Sequence, residues 1–115
     1  MTTFEVPCIP VPKARPRVTK SGHTFTPLST VKAEEDIAWM AKDAGVVLEK
    51  GKRYSVSMVF YVKSLRADLD NLEKLVLDGL QRGYPEWNDS QVDEITASKL
   101  KVGAGFKTVV TVREL

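Results

Sequence analysis

Three aspartates and one lysine carry the residue types most able to do chemistry. Asp68 and Asp70 lie two residues apart in R-A-D-L-D-N-L-E-K-L-V-L-D-G-L, residues 66–80. Lys74 follows one helical turn after Asp70, and Asp89 arrives in N-D-S-Q-V, residues 88–92. Clustered carboxylates offer hard oxygen ligands to Mg²⁺, with Mn²⁺ as the alternative. A nearby ammonium offers positive charge to a phosphate. Together these are what a metal-dependent phosphodiester hydrolase needs. In extended backbone the two-residue spacing points Asp68 and Asp70 the same way. Asp89, from a separate loop, would complete the set. Lys74, on the same helix face as Asp70, would stabilise a non-bridging oxygen or the leaving 3′-oxygen. Asp78 continues that row one turn further and drifts away from it.

A plainer reading uses the same residues. Asp70 can cap a helix, Asp70–Lys74–Asp78 can be an ion-pair ladder, and Asp89 can be a turn residue. A calcium loop is excluded, because its fifth and sixth positions would hold Leu72 and Glu73 where Asp or Asn and then Gly are needed. The single histidine, His23, lies far in sequence from the acids. No histidine base is evident, and water activated by a metal is the economical nucleophile. His23 itself reads as a solvent-facing hairpin residue, with a contact to phosphate as the alternative.

Net charge is only +2, but the charges are segregated. Lys13, Arg15, Arg17 and Lys20 oppose Glu5 in residues 1–30. Seven acids oppose Arg66, Lys74 and Arg82 in residues 66–93. Lys99, Lys101, Lys107 and Arg113 oppose Glu114 at the end. Basic flanks around an acidic centre suit a protein that holds a polyanion and sets metal against it. Lys13, Arg15 and Arg17 alternate with Ala14 and Pro16, so in an extended arm they share one side and can follow a row of phosphates. Lys20 extends the same arm. Lys99, Lys101 and Lys107 are weaker candidates, since strand lysines commonly protect sheet edges.

The elements that must position these groups are legible in the patterning. Thr2–Ile9 reads as a strand, closed by Pro7, Pro10 and Pro12. Lys13–Pro27 reads as an arm or hairpin turning at Ser21–Gly22. A helix runs from Ser29 or Thr30 to Ala44, with Ile37, Met40, Ala41, Ala44 and Val47 at helical spacing. Arg53–Lys63 is a strand with Tyr54, Val56, Met58, Phe60 and Val62 on one face. A second helix runs from Asp70 to about Gln81, with Leu72, Leu75, Val76 and Leu80 as its apolar stripe and Asp70 and Glu73 spaced as a capping box. Val92–Val102 and Phe106–Val112 read as strands joined in a hairpin across Gly103–Ala104–Gly105. The fold class is α+β: one domain, residues 1–115, with a mixed β-sheet and two main helices packed on it.

Composition bounds the rest. A chain of 115 residues makes one domain with a modest core, which an oligomer would extend. No apolar run approaches a membrane span, and the first residues lack a signal-peptide pattern. One cysteine, Cys8, precludes an internal disulfide and suits a cytoplasmic setting. Cys8 reads as a small packed residue. Trp39, Trp87 and Phe60 read as packing residues, while Phe25 and Tyr84 are left open.

The combination is more specific than its parts. D-x-D-N-x-x-K-x-x-x-D-x-L followed by D-x-Q-V resembles the RusA family of Holliday junction resolvases. So do P-K-A-R-P-R (Pro12–Arg17), G-H-T-F-T-P (Gly22–Pro27) and the acidic helix around Glu34. The resemblance covers nearly the whole chain. It implies Mg²⁺ held by Asp68, Asp70 and Asp89, an essential lysine at Lys74, and symmetrical nicking of four-way junction DNA by a homodimer. Many members carry two acids before S-Q-V or A-Q-V; this chain has Asn88–Asp89, which leaves Asp89 as the ligand and Asn88 as a supporting or turn residue. The alternative is a non-catalytic DNA-binding protein that uses the same basic surfaces. A third, a general metal nuclease, differs only in lacking junction preference.

Overall fold

The computed structural model describes residues 1–13, 17–18, 22, 24–25 and 28–115. The elements are β1 (Thr2–Val6), β2 (Arg17–Val18), β3 (Thr24–Phe25), α1 (Leu28–Asp43), β4 (Tyr54–Val62), α2 (Leu69–Gly83), a 3₁₀ turn (Asp89–Gln91), β5 (Val92–Lys101) and β6 (Lys107–Glu114). β2 and β3 pair antiparallel as a small hairpin. Between them Gly22 has φ +86°, a left-handed conformation that glycine adopts without penalty.

The remaining strands form one mixed sheet in the order β1-β6-β4-β5. β1/β6 and β6/β4 are antiparallel, and β4/β5 is parallel. Alternation along β4 decides which face is core. Tyr54, Val56, Met58, Phe60 and Val62 are buried, while the residues between them are partly exposed. α2 lays Leu72, Leu75, Val76 and Leu80 into the same core, each side chain contributing about 1.5–3 kcal/mol by burial. α1 adds Ala33, Ile37 and Ala41.

The helices meet closely because α2 offers glycine at the contact. A Cβ on Gly79 would lie 2.8 Å from Ile37 Cβ, and one on Gly83 would lie 3.0 Å from Ala38 Cβ.

Several expectations need correction. β5 and β6 do not form a hairpin; they pair with opposite edges of β4. The Gly103–Gly105 segment therefore crosses the end of β4 instead of turning back on itself. The cause is the α2 crossover. It makes β5 parallel to β4 and fills one edge, leaving the other for β6. Periodicity identifies strands but does not name their neighbours.

β1 ends at Val6, before Pro7, rather than at Ile9. Ala44 and Val47 are exposed, and the chain instead buries Val46 after the helix. Trp39 is 71% exposed, whereas Trp87 and Phe60 are core residues as expected. Cys8 is exposed, not packed. Among the described residues no helix is long and apolar enough to cross a membrane.

Candidate active site

The β4–α2–β5 crossover carries the acids and the lysine. β4 ends at Val62, and a short loop leads to Asp68, the residue that caps the start of α2. Lys99 on β5 fixes that loop. Its Nζ donates to the carbonyl oxygens of Leu65 at 3.0 Å and Ala67 at 2.8 Å. A strand lysine expected to guard an edge thus holds the backbone directly before Asp68.

Asp68 has extended backbone, φ −69° and ψ 135°, but its side chain makes no capping hydrogen bond. Asp70 lies within the first helical turn, and its Oδ1 accepts from the Asn71 N–H at 3.0 Å. The helix begins at Leu69, so the two-residue strand alternation expected to align the pair does not apply. Both acids stand exposed at a helix N-terminus, where the backbone dipole favours negative charge. The expected capping box at Asp70 and Glu73 is not what caps this end.

Asp89 opens the 3₁₀ turn on a different scaffold. Asn88 Oδ1 accepts from the Ser90 N–H at 2.9 Å, and Gln91 Oε1 accepts from the Asn88 N–H at 3.1 Å. This reciprocal capping holds the turn directly before β5. Gln91 is buried and also donates to the carbonyls of Glu49 at 2.9 Å and Lys52 at 2.8 Å. Outside the turn, Arg53 pairs with Asp93 and donates to the Ser90 carbonyl at 2.8 Å. That pairing lowers the Asp93 carboxyl below its ordinary range.

Lys74 connects the two scaffolds. Its Nζ lies 3.1 Å from Asp78 Oδ1 and 3.5 Å from Asp89 Oδ2. The Asp78 hydrogen bond, ahead of the weaker pull of Asp89, raises the lysine above its ordinary pKa. Lys74 is therefore a fixed cation at neutral pH and is unsuited to act as a base.

Asp68 and Asp70 are not gathered with Asp89 into one cage. Among the described residues no group of three or more Asp, Glu, His or Cys side chains stands at metal-holding distance. Sheet register gives the reason. Val92, just after the Asp89 turn, pairs with Tyr54 at the beginning of β4, whereas Asp68 follows the end of β4. The acids thus start from opposite ends of the sheet, and Lys74 reaches along the interval. The donor chemistry still fits a hard divalent cation. Mg²⁺ keeps several waters and is commonly held by one or two carboxylates together with substrate phosphate. Asp68, free of a capping bond, and its neighbour Asp70 supply two such carboxylates.

The sequence model of one protein family, described as Endodeoxyribonuclease RusA, matches residues 7–113 of the 115. The chain belongs to the RusA family. At the level of the family this is a Holliday junction-resolving endonuclease, a nuclease that binds DNA. No curated protein matches the chain.

In this RusA-family chain the basic arm begins with a residue turned inward. Lys13 Nζ lies 3.2 Å from Glu34 Oε2 and 3.1 Å from Asp78 Oδ2, and its backbone N–H donates to the Asn71 carbonyl at 2.8 Å. Arg17 lies in β2. Arg15, Lys20 and His23 lie outside the described residues, as do the side chains of Arg17 and Phe25. Tyr84 is partly buried. Its hydroxyl donates to the Val46 carbonyl, and burial raises its pKa.

Residue reasoning set Asp78 aside and overlooked Arg82 and Gln91 as parts of the site; Glu34 entered only through the family resemblance. The one available signal was the four-residue spacing from Lys74 to Asp78. Nothing local announces that Glu34 and Lys13, twenty-one residues apart, will meet.

Proposed function

We propose that this protein is a Mg²⁺-dependent, structure-selective endodeoxyribonuclease. It resolves four-way junctions by paired symmetrical nicks, as a homodimer, in recombination and repair of DNA in the cytoplasm. One observation carries the reading. A fixed cation from the helix that begins with Asp68 and Asp70 reaches Asp89 on a separate, rigidly capped turn. A phosphodiester-cleaving site needs acids for a metal and a cation for phosphate in one place, and this contact couples them.

Asp68 and Asp70 would hold the cation from the start of α2, and Asp89 would contribute from its turn. A bound Mg²⁺ supplies Lewis acidity toward the phosphate and makes water a competent nucleophile at neutral pH. Lys74, permanently charged, faces the negative charge that builds on phosphate oxygens during cleavage. The Asp78 carboxylate, 3.1 Å away, holds that charge near the site before substrate arrives. Arg15, Arg17 and Lys20 would grip the DNA backbone from the arm.

The second reading is a junction-binding protein without catalysis. It is favoured by the separation of Asp68 and Asp70 from Asp89. Incubation with a synthetic four-way junction and Mg²⁺, beside linear duplex of the same sequence, separates the readings. Paired nicks confined to the junction support the proposal. Binding without cleavage supports the second reading, and equal cleavage of both substrates indicates a general metal nuclease.

A further inference from the structure

Glu34 is the one charged side chain among the described residues that the fold buries, at 4% side-chain exposure. A buried carboxylate must be paired to be tolerated. Glu34 has two partners: Lys13 Nζ at 3.2 Å and Arg82 Nη2 at 3.3 Å. Lys13 passes the contact outward to Asp78 Oδ2 at 3.1 Å. The other oxygen of Asp78 meets Lys74 at 3.1 Å, and Lys74 meets Asp89 at 3.5 Å. Glu34, Lys13, Asp78, Lys74 and Asp89 thus alternate in sign from the interior to the site, with Arg82 the second cation on the buried acid.

We infer that Asp78 is the positioning residue of Lys74, and that Glu34 and Lys13 hold Asp78 in place for that task; the inference rests on the role given to Lys74 above. Lys74 is half exposed on a flexible stem and needs something to fix its ammonium. Asp78 suits this better than Asp89. It stands one turn away on the same helix, at the shorter distance, and is the more buried partner. Both of its oxygens are engaged by different lysines, so its carboxylate is held in one orientation. A solvated ion pair at this spacing would do little. Here the pair is anchored through Lys13, whose backbone is bonded to Asn71 in the first turn of α2, and whose side chain ends on a buried acid. Asp89 is the exchangeable partner. If it is drawn to other work, Asp78 still keeps Lys74 at the site.

The test uses single-turnover cleavage of a four-way junction at saturating enzyme, with junction affinity measured separately without metal. The proteins are wild type, Lys74→Ala, Asp78→Asn, Lys13→Met and the Lys74→Ala/Asp78→Asn double variant, each checked by circular dichroism and thermal unfolding. Asp78→Asn should slow cleavage about ten- to a hundredfold, as misplacement of a catalytic group does, with little change in affinity. In the Lys74→Ala background it should remove nothing further, because it acts only through that lysine. Lys13→Met, which leaves the Asp78–Lys74 pair in being, should cause a smaller loss of the same kind. A purely structural role would lower the unfolding midpoint and multiply with the Lys74→Ala loss. That outcome overturns the inference, as does a wild-type rate for Asp78→Asn beside an inactive Lys74→Ala. A wild-type rate for Lys74→Ala itself would overturn the underlying reading and the inference with it.

Discussion

Asn88 and Gln91 close on each other across the turn that carries Asp89: the Gln91 side-chain carbonyl accepts from the Asn88 N–H at 3.1 Å. The Gln91 amide nitrogen then reaches the Glu49 and Lys52 carbonyls, so this buried side chain ties the turn to the loop before β4. Truncation to Gln91→Ala removes three hydrogen bonds to partly buried backbone groups that water can reach in part, a total cost of about 1–3 kcal/mol. Urea unfolding should show a loss in that range. Junction cleavage should fall further than stability alone explains, because the turn that carries Asp89 then loses its tie to the loop before β4.

Asn in place of Asp68, Asp70 or Asp89 keeps the shape and removes a charge. Each variant should lose at least about a hundredfold in cleavage, the scale seen when one charge-stabilising group is removed from a reaction centre. Folding and junction binding should survive. Binding without metal should tighten, because the acids repel phosphate. A near wild-type rate in any one of the three would remove that residue from the site.

Much of the fold was legible because it rests on short-range periodicity. The alternation of Tyr54 through Val62 marked the central strand and its core face, and Leu72, Leu75, Val76 and Leu80 marked the buried stripe of α2. Strand order was not legible. β5 and β6 are each adequate as sequences, and only the crossover decides that β4 separates them. Trp39 shows a second point: it lies on the face of α1 opposite the stripe of Ile37 and Ala41, so helical period, and not aromatic character, is what foretells its exposure. At the site, the local pieces were readable but the long-range pairing of Lys13 with Glu34 was not. It depends on Lys13 meeting α1 at Glu34 and α2 at Asn71 and Asp78.

Gly79 tests the helix contact. Any Cβ there would stand 2.8 Å from Ile37 Cβ, which is core and cannot swing aside. Gly79→Ala raises intrinsic helix propensity, yet it should destabilise the protein by about 1–3 kcal/mol through overpacking. Thermal unfolding should show the drop as about 4 °C per kcal/mol for a domain of this size. An unchanged or higher midpoint would mean that the helices are not this close.

The arm should divide into two classes by salt dependence. Each phosphate neutralised by Arg15 or Arg17 should contribute about one unit of slope in log affinity against log salt, and removing both charges should weaken binding to every DNA shape. Lys13 should behave differently. Its ammonium is committed to Glu34 and Asp78, so Lys13→Met should leave the slope nearly unchanged. A full unit lost at Lys13 would show that the ammonium leaves these acids for phosphate.

The last expectation concerns assembly. Resolving a four-way junction takes two nicks in strands of like polarity, and one chain offers one set of acids. A two-fold homodimer presents two identical sites to a substrate of matching symmetry. The architecture leaves room for such an interface. The helices cover one face of the sheet, while Ser55, Ser57, Val59 and Tyr61 lie partly exposed on the other. A core of this size would also gain from burying that surface. Mixed dimers of wild type with Asp70→Asn should therefore cut one strand per junction. They should yield nicked junctions and few paired, ligatable products, resolved by denaturing and native electrophoresis of the same reaction. A protein that sediments as a monomer on the junction and still makes both cuts would exclude this assembly.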